Sequence, residues 1–319
     1  MSHVTVSLCP FAKDVARGLT APQKRLFSKY FYDDRGSRIF QQIMEMPEYY
    51  PTNSEMEILT EQAARIHRGT GFEGPFNVVE LGAGDGVKTK ALLRHLVQQK
   101  VDVTYYPLDI SQEAMNALET DLSTALPELS IQSLVGDYFE VLDRFDFGDQ
   151  PSLFLFLGGN IGNYEDREAV SLLRHFGRFM KKGDLFLIGI DLKKNPRTIR
   201  RAYDDPHGIT KQFNLNLLRR INRELGGNFN LERFDFYAHY NPANGHVRSY
   251  LVSLCDQEVF IETLQKTFFF QKNELIYTEL SKKYDLAEID ALAYKTGFRR
   301  TSHFLDRKGY FADSLWEKV

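Results

Sequence analysis

The segment NVVELGAGDGVKTKALLRHLVQQ, residues 77–99, decides how the rest of the chain is read. It opens on an apolar run of strand length and closes on apolar residues recurring at three and four, the spacing of a helix face. Between the two, Gly82 and Gly84 stand where a strand must turn into a helix. A residue without Cβ permits that turn and lets a ligand approach the backbone. A dinucleotide fingerprint would carry its third glycine at the position of Val87, so a pyrophosphate loses the close helix approach it needs.

Toward the C-terminus the same alternation continues. TYYPLDI (Thr104–Ile110) reads as a strand, and Ala114, Leu118, Leu122 and Leu126 form one helical stripe. SLVGD (Ser133–Asp137), SLFLFLGG (Ser152–Gly159), the helix REAVSLLRHFGRFM and the strand DLFLIGIDL after Gly183 follow. Strands of near-continuous apolar character separated by helices are what a parallel sheet covered on both faces requires. The region from Asn77 to Leu192 is therefore expected to be a doubly wound α/β sheet.

Toward the N-terminus, Thr52 and Glu55 have capping-box spacing, and Met56, Leu59, Ala63 and Ile66 predict one helix over Thr52–Arg68. An aromatic segment, Lys29–Thr52, precedes it. Beyond Leu192 the pattern turns helical, then FDFYAHYNPANGHVRSYLVSL reads as a hairpin with Asn244 and Gly245 both expected at positive φ. LIYTELSKKY adds a strand, Leu286–Lys295 a helix with Gly297 as its cap, and the C-terminus reads as extended. The expected division is a sheet domain over 61–195 and 285–319, with a second lobe over 1–60 and 196–284.

The chain has 319 residues, 43% hydrophobic and 26% charged, enough for a large α/β unit or two lobes. No stretch approaches the roughly 18 uninterrupted apolar residues of a membrane span. MSHVTVSLCPFAKDVARG has no basic cluster followed by an apolar run, and Cys9 and Cys255 are the two cysteines. These features predict a cytoplasmic protein with reduced thiols. A net charge of −3 with interspersed signs argues against nucleic acid. The eight histidines show no HExxH spacing, and there is neither paired CxxC nor GxxxxGK[ST], so no metal site is expected.

Asp109 ends the strand after the glycine loop, where its carboxylate is placed for both ribose hydroxyls of an adenosine. Asp137 follows Gly136 at the next strand end, placed for the adenine amino group. Open α/β sheets bind ligands at the carboxyl edge of their strands, and carboxylates there suit a cationic sulfonium better than a diphosphate. The alternative for each acid is a helix cap or a solvated loop. Together with the glycine loop, the pair points to a nucleotide or S-adenosylmethionine.

At this point the chain resembles the amino-acid Nα-methyltransferases typified by the histidine enzyme of ergothioneine biosynthesis. The resemblance is carried by FYDDRGSRIF, MPEYYPTNSEMEIL, VVELGAGDGVKTKALL, FLGGNIGN, RAYDDPHGITKQFNLN, NRELGGNFN and YTELSKKY. It implies a class I Rossmann-like methyltransferase sheet with a second, substrate-binding lobe, and S-adenosyl-L-methionine as cofactor. It places Gly82, Gly84, Lys88, Asp109 and Asp137 at the cofactor. Tyr49 and Tyr32 fall at the acceptor amine, with Asn163 and Tyr203 at its amine and carboxylate, and Glu279 and Ser281 at an imidazole. On a strand Tyr277, Glu279 and Ser281 share a face, and a carboxylate beside a hydroxyl can serve both ring nitrogens. The other reading leaves that face to solvent. Ser249 stands where the histidine enzymes carry a methionine, and Asn160 where a smaller hydroxyl residue is expected, so tryptophan or another amino acid stays open as acceptor. A non-catalytic binding module is a further alternative. The expected partner is a small amino acid, with no nucleic acid or membrane, and the expected state is a monomer.

Overall fold

The structure, a computed structural model, describes residues 8–319; the first seven residues of the leader reading lie outside the described residues. Helices α1 (Pro10–Thr20), α2 (Asp34–Glu45), α3 (Tyr50–Glu61) and α4 (Ala63–Thr70) precede strand β1 (Phe76–Leu81). Next come α5 (Thr89–Gln98), β2 (Val103–Asp109), α6 (Gln112–Ala125), β3 (Ser130–Ile131), β4 (Leu134–Val135) and α7 (Tyr138–Leu142). Then follow β5 (Ser152–Phe156), α8 (Asp166–Phe179), β6 (Leu185–Asp191), α9 (Pro196–Tyr203) and α10 (Ile209–Leu225). Strands β7 (Phe234–Asn241), β8 (His246–Ser253), β9 (Gln257–Ile261), β10 (Lys266–Phe270) and β11 (Leu275–Lys282) come next. The chain ends in α11 (Leu286–Lys295), β12 (Phe298–Leu305) and β13 (Phe311–Lys318).

Two compact units result, Met1–Tyr50 with Lys194–Ser281, and Pro51–Lys193 with Lys282–Val319. The second unit holds an eight-stranded sheet in the order β12-β13-β6-β5-β1-β2-β3, with β4 also on β2. From β6 to β3 the pairs are parallel, and β13 and β12 return antiparallel. Strand order runs outward from β1 in both directions, so the connections diverge between β1 and β5, the place where such sheets open a crevice. Alternate residues feed two cores. Val78, Leu153, Leu155 and Leu187 pack with α3 to α6, while Val79, Phe154, Phe156 and Ile188 pack with α8 and α11. The doubly wound sheet expected from the apolar runs is present.

The first unit carries a three-stranded sheet, β11-β8-β7, in which β7 and β8 are antiparallel, and a separate antiparallel β9-β10 ribbon. Phe213, Leu217, Leu218 and Ile221 of α10 join Phe234, Leu251 and Ile276 of the sheet in one buried core with Phe11, Phe31 and Ile39.

Three local expectations are corrected. The helix expected over Thr52–Arg68 is two helices, parted at Gln62 with φ −114° and ψ 11°, and α3 begins at Tyr50, so Thr52 is no cap. Glu55 points inward and is fully buried. In the hairpin only Gly245 takes positive φ; Asn244 instead accepts the His246 N–H through its side chain at 3.0 Å. Both cysteines are free thiols, and among the described residues no helix is long and apolar enough to cross a membrane and no cluster suits a metal ion.

Candidate active site

In the second unit, β1 delivers the chain into a loop in which Gly82 and Gly84 take φ +76° and +57°. A Cβ at either would meet no protein atom within 4 Å, so the left-handed backbone is what requires glycine there. Asp109, the last residue of β2, ties this loop in place: its two carboxylate oxygens accept the N–H of Gly84 and of Ser111, each at 3.0 Å. A carboxylate offers about four lone-pair sites, so two remain for a diol. Asp137 follows β4 and caps α7, accepting the Phe139 N–H at 2.9 Å. The capping alternative is thus realised, with the residue at the same carboxyl edge as Asp109.

Lys88, the residue before α5, is ion-paired with Glu55 of α3. Burial alone would lower the Lys88 pKa, but the Glu55 carboxylate outweighs it and the net shift is upward. Glu55 also accepts the N–H of Gly158, at 2.7 and 3.0 Å, in the loop after β5. That loop enters a single 3₁₀ turn, Asn160–Asn163, which presents Asn163 on the surface of the unit. Asn160 closes the turn by donating to the Leu157 carbonyl at 2.9 Å, which gives its amide a local role. Glu80 is buried beneath the glycine loop and accepts from Thr89 at 2.6 Å and from the Tyr105 hydroxyl; burial first, opposed by these bonds, pushes its pKa up to about 7.

In the first unit, Tyr203 ends α9 and its hydroxyl shares a hydrogen bond with the Ser281 hydroxyl at 2.9 Å. Its ring stands edge-on to Tyr49 with centroids 6.2 Å apart. Phe40 links Tyr49, at 6.3 Å, to Tyr32, at 5.4 Å. The Tyr32 phenol is raised well above its ordinary value, by burial and then by the charges of Glu279, Tyr49 and Tyr203. Its residue surface is 48% exposed, so the nearby Glu279 carboxylate is the cause that bears on chemistry. Tyr32, Tyr49, Tyr203, Glu279 and Ser281, separated by up to 249 positions, therefore form one neighbourhood of this unit. Ser249 is not on the exposed side of its strand: it lies opposite Ala238 and alternates with Arg248 and Tyr250, on the buried side with Val247 and Leu251.

Three acids that fix these positions were not singled out from the sequence. Asp33 caps α2 at Gly36 and accepts from Asn216 at 2.7 Å and Arg223 at 2.6 Å, which anchors the segment bearing Tyr32 on α10. Asp205 accepts the N–H groups of His207, Ile209 and Thr210 at 2.8–3.0 Å and sets the bend after Tyr203. Glu55 is the third. The doubled acids in FYDD and AYDD were the available hint, since one acid of each pair turns toward backbone or basic partners.

A family profile described as histidine-specific methyltransferase, SAM-dependent, matches residues 11–318. A histidine N-alpha-methyltransferase of Mycobacterium tuberculosis is 35% identical over 306 residues, covering 96% of this chain and 94% of its own. Its counterpart in Mycolicibacterium smegmatis is 33% identical, covering 95% and 93%. Ergothioneine biosynthesis protein 1 of Schizosaccharomyces pombe is 30% identical over 88% of this chain but only 37% of its own length. With a profile spanning nearly the whole sequence and relatives matched end to end, the chain belongs to the S-adenosylmethionine-dependent, histidine-specific methyltransferase family.

Proposed function

We propose that this enzyme methylates the α-amino group of L-histidine, three times, to give hercynine, the betaine that leads toward ergothioneine. The observation that carries the reading is the Tyr203–Ser281 hydrogen bond, which joins the residue aligned with the substrate amine and carboxylate to the pair aligned with the imidazole. Glu279 accepts a ring N–H, and the Ser281 hydroxyl serves the other ring nitrogen. Tyr49 and Tyr32 orient the amine. Tyr32, whose phenol stays protonated across the working range, donates or relays but does not act as a standing base.

On this reading the first unit binds the acceptor and the second binds the cofactor, and the residues of the second unit fit an adenosine and a sulfonium. Asp109 keeps two lone-pair positions after its backbone bonds, and Asp137 stands at the neighbouring strand end. S-adenosylmethionine supplies an electrophilic methyl: a nitrogen–carbon bond forms as the sulfur–carbon bond breaks. The chain's own residues have to hold a neutral amine and accept the loss of its protons to solvent, so positioning supplies most of the acceleration. As methyls accumulate, tyrosine faces stabilise the quaternary nitrogen by roughly 0.5–2 kcal/mol.

The test is incubation with S-adenosylmethionine and a panel of free amino acids, read by mass spectrometry. Histidine gaining three methyl groups ahead of every other acceptor supports the proposal. Preference for tryptophan or another amino acid would overturn the histidine assignment and leave the methyltransferase one intact. The monomeric state is proposed with it and is checked by sedimentation.

A further inference from the structure

The second unit contains a buried charged set that the proposed chemistry does not use. Glu55 from α3 and Asp313 from β13 are both fully buried, and the Lys88 side chain lies between the glycine loop and α5 with about a fifth of its surface exposed. Gly189 of β6 is in register with Asp313, and a Cβ on it would fall 2.0 Å from Glu55 Oε1 and 3.2 Å from the Gly158 nitrogen. This glycine has no unusual φ. Its hydrogen leaves the space that a carboxylate and an amide occupy over the strand, which explains a glycine amid the apolar run LFLIGID.

Glu55 therefore touches both ligand loops of this unit: the glycine loop through Lys88, and through Gly158 the loop that leads to Asn163. An isolated buried charge costs several kcal/mol, and one lysine offsets one carboxylate. Glu55 has that partner. Asp313 has none: neither of its oxygens finds a hydrogen bond. The charged groups facing it are Glu55 on α3 and Lys88 before α5, with Glu80 of β1 acting on the same lysine. Burial first, then the Glu55 charge, holds the Asp313 carboxyl well above the usual range, and a buried carboxyl without a hydrogen-bond donor favours its neutral form.

We propose that Glu55 is a positioning residue for methyl transfer, fixing Lys88 and the Gly158 amide so that the cofactor loop and the loop bearing Asn163 keep one arrangement, with Asp313 as a reserve counter-ion. The inference rests on the site reading above for Lys88 and Asn163. When Glu55 loses its charge, Asp313 gives up its proton and takes over the lysine.

Glu55→Gln keeps an acceptor for Gly158 and removes the ion pair. It is expected to weaken S-adenosylhomocysteine binding by about tenfold, the loss of one charged hydrogen bond. The KM for the amino acid should change less than the cofactor affinity. Asp313→Asn alone should leave both unchanged, because a neutral acid is replaced by a neutral amide. The double variant should lose far more affinity than the two singles together, since Lys88 then has no carboxylate. Gly189→Ala displaces the same carboxylate from the strand side and should reproduce the Glu55→Gln affinity loss. Should Glu55→Gln not fold, Glu55→Asp, which leaves Lys88 in place but draws the carboxylate back from it and from Gly158 by one methylene, is read in its place.

A Glu55→Gln enzyme with a lowered Tm but unchanged cofactor affinity and kcat would make the residue merely structural and overturn the proposal. Asp313→Asn as damaging as Glu55→Gln would overturn the reserve role. The affinity measurements need no acceptor, so they remain decisive if the preferred amino acid is not histidine.

Discussion

Removing the Asp109 carboxylate tests the cofactor edge most directly. The group already accepts two backbone N–H bonds at 3.0 Å, and its remaining lone pairs are the ones proposed to take two ribose hydroxyls. A hydrogen bond to a charged group contributes roughly 1.5–3 kcal/mol, so Asp109→Ala should cost about 3–6 kcal/mol of cofactor binding, or two to four orders of magnitude. The freed Gly84 and Ser111 amides can turn to water in a half-exposed loop, so the fold itself should lose much less. Asp109→Asn should be nearly as damaging, because its NH₂ must face one of two amides that are themselves donors. Calorimetric titration with S-adenosylhomocysteine reads the loss, and circular dichroism confirms that the variant is folded. A folded Asp109→Ala enzyme that binds with parental affinity would remove Asp109 from the site.

Glu279→Ala should raise the KM for histidine by about one to two orders of magnitude, the worth of one charged hydrogen bond, with cofactor affinity unchanged; unaltered histidine kinetics would end the imidazole assignment. Glu80 has its folded pKa raised from 4.5 to about 7, so its contribution is fully present below 4.5 and lost as pH rises through 7. The stability of the parent relative to Glu80→Gln should therefore fall by roughly 3 kcal/mol across that window, read from Tm against pH, and a constant difference would show that Glu80 titrates normally. Gly86→Ala forces a side chain onto φ +61° with its Cβ 2.2 Å from Leu118 Cδ1, so Tm should drop by the equivalent of at least about 2 kcal/mol. An unshifted Tm would mean that α6 gives way freely.

The parts of this protein legible from its sequence are those in which one local pattern determines one local structure. Continuous apolar runs with glycine between them sufficed for β1, β5 and β6, and strand alternation sufficed to place Tyr277, Glu279 and Ser281 on one face. Glu55 was misread because a capping-box spacing is satisfied by any acid three residues after a threonine. The spacing carries no sign that the acid points inward to Lys88. The break at Gln62 was hidden for the same reason: apolar periodicity carries on through it, from Leu59 to Ala63 and Ile66, all buried. Asp33 is held by partners as far as 190 positions away, which no local window contains, and Asp205 bonds amides two to five residues on, for which the doubled acid of AYDD was the available hint.

Distance alone does not identify a reaction, and the edge of the second unit's sheet shows why. Ser314 and His303 are cross-strand partners on β13 and β12, with Oγ and Nδ1 2.9 Å apart, and His303 Nε2 lies 3.1 Å from Asp290 of α11. By spacing this is the serine, histidine and aspartate order of a hydrolase. Yet Ser314 has no exposed surface, and its oxygen already accepts the Trp316 indole N–H at 2.6 Å. A nucleophile must reach a carbonyl carbon beside donors for the developing oxyanion, and a hydroxyl enclosed by Trp316 reaches none. Burial lowers the His303 pKa and so favours the neutral ring, which satisfies buried polar groups of an edge strand pair. Tyr203 and Ser281 share a hydrogen bond of the same length, but they sit in a neighbourhood with a carboxylate and two further tyrosines, one of which, Tyr32, is exposed. What separates the two sets is access: Ser314 is enclosed, whereas Tyr32 in the tyrosine neighbourhood is 48% exposed, and the reading proposed above places the acceptor beside that neighbourhood and not at the Ser314 pair.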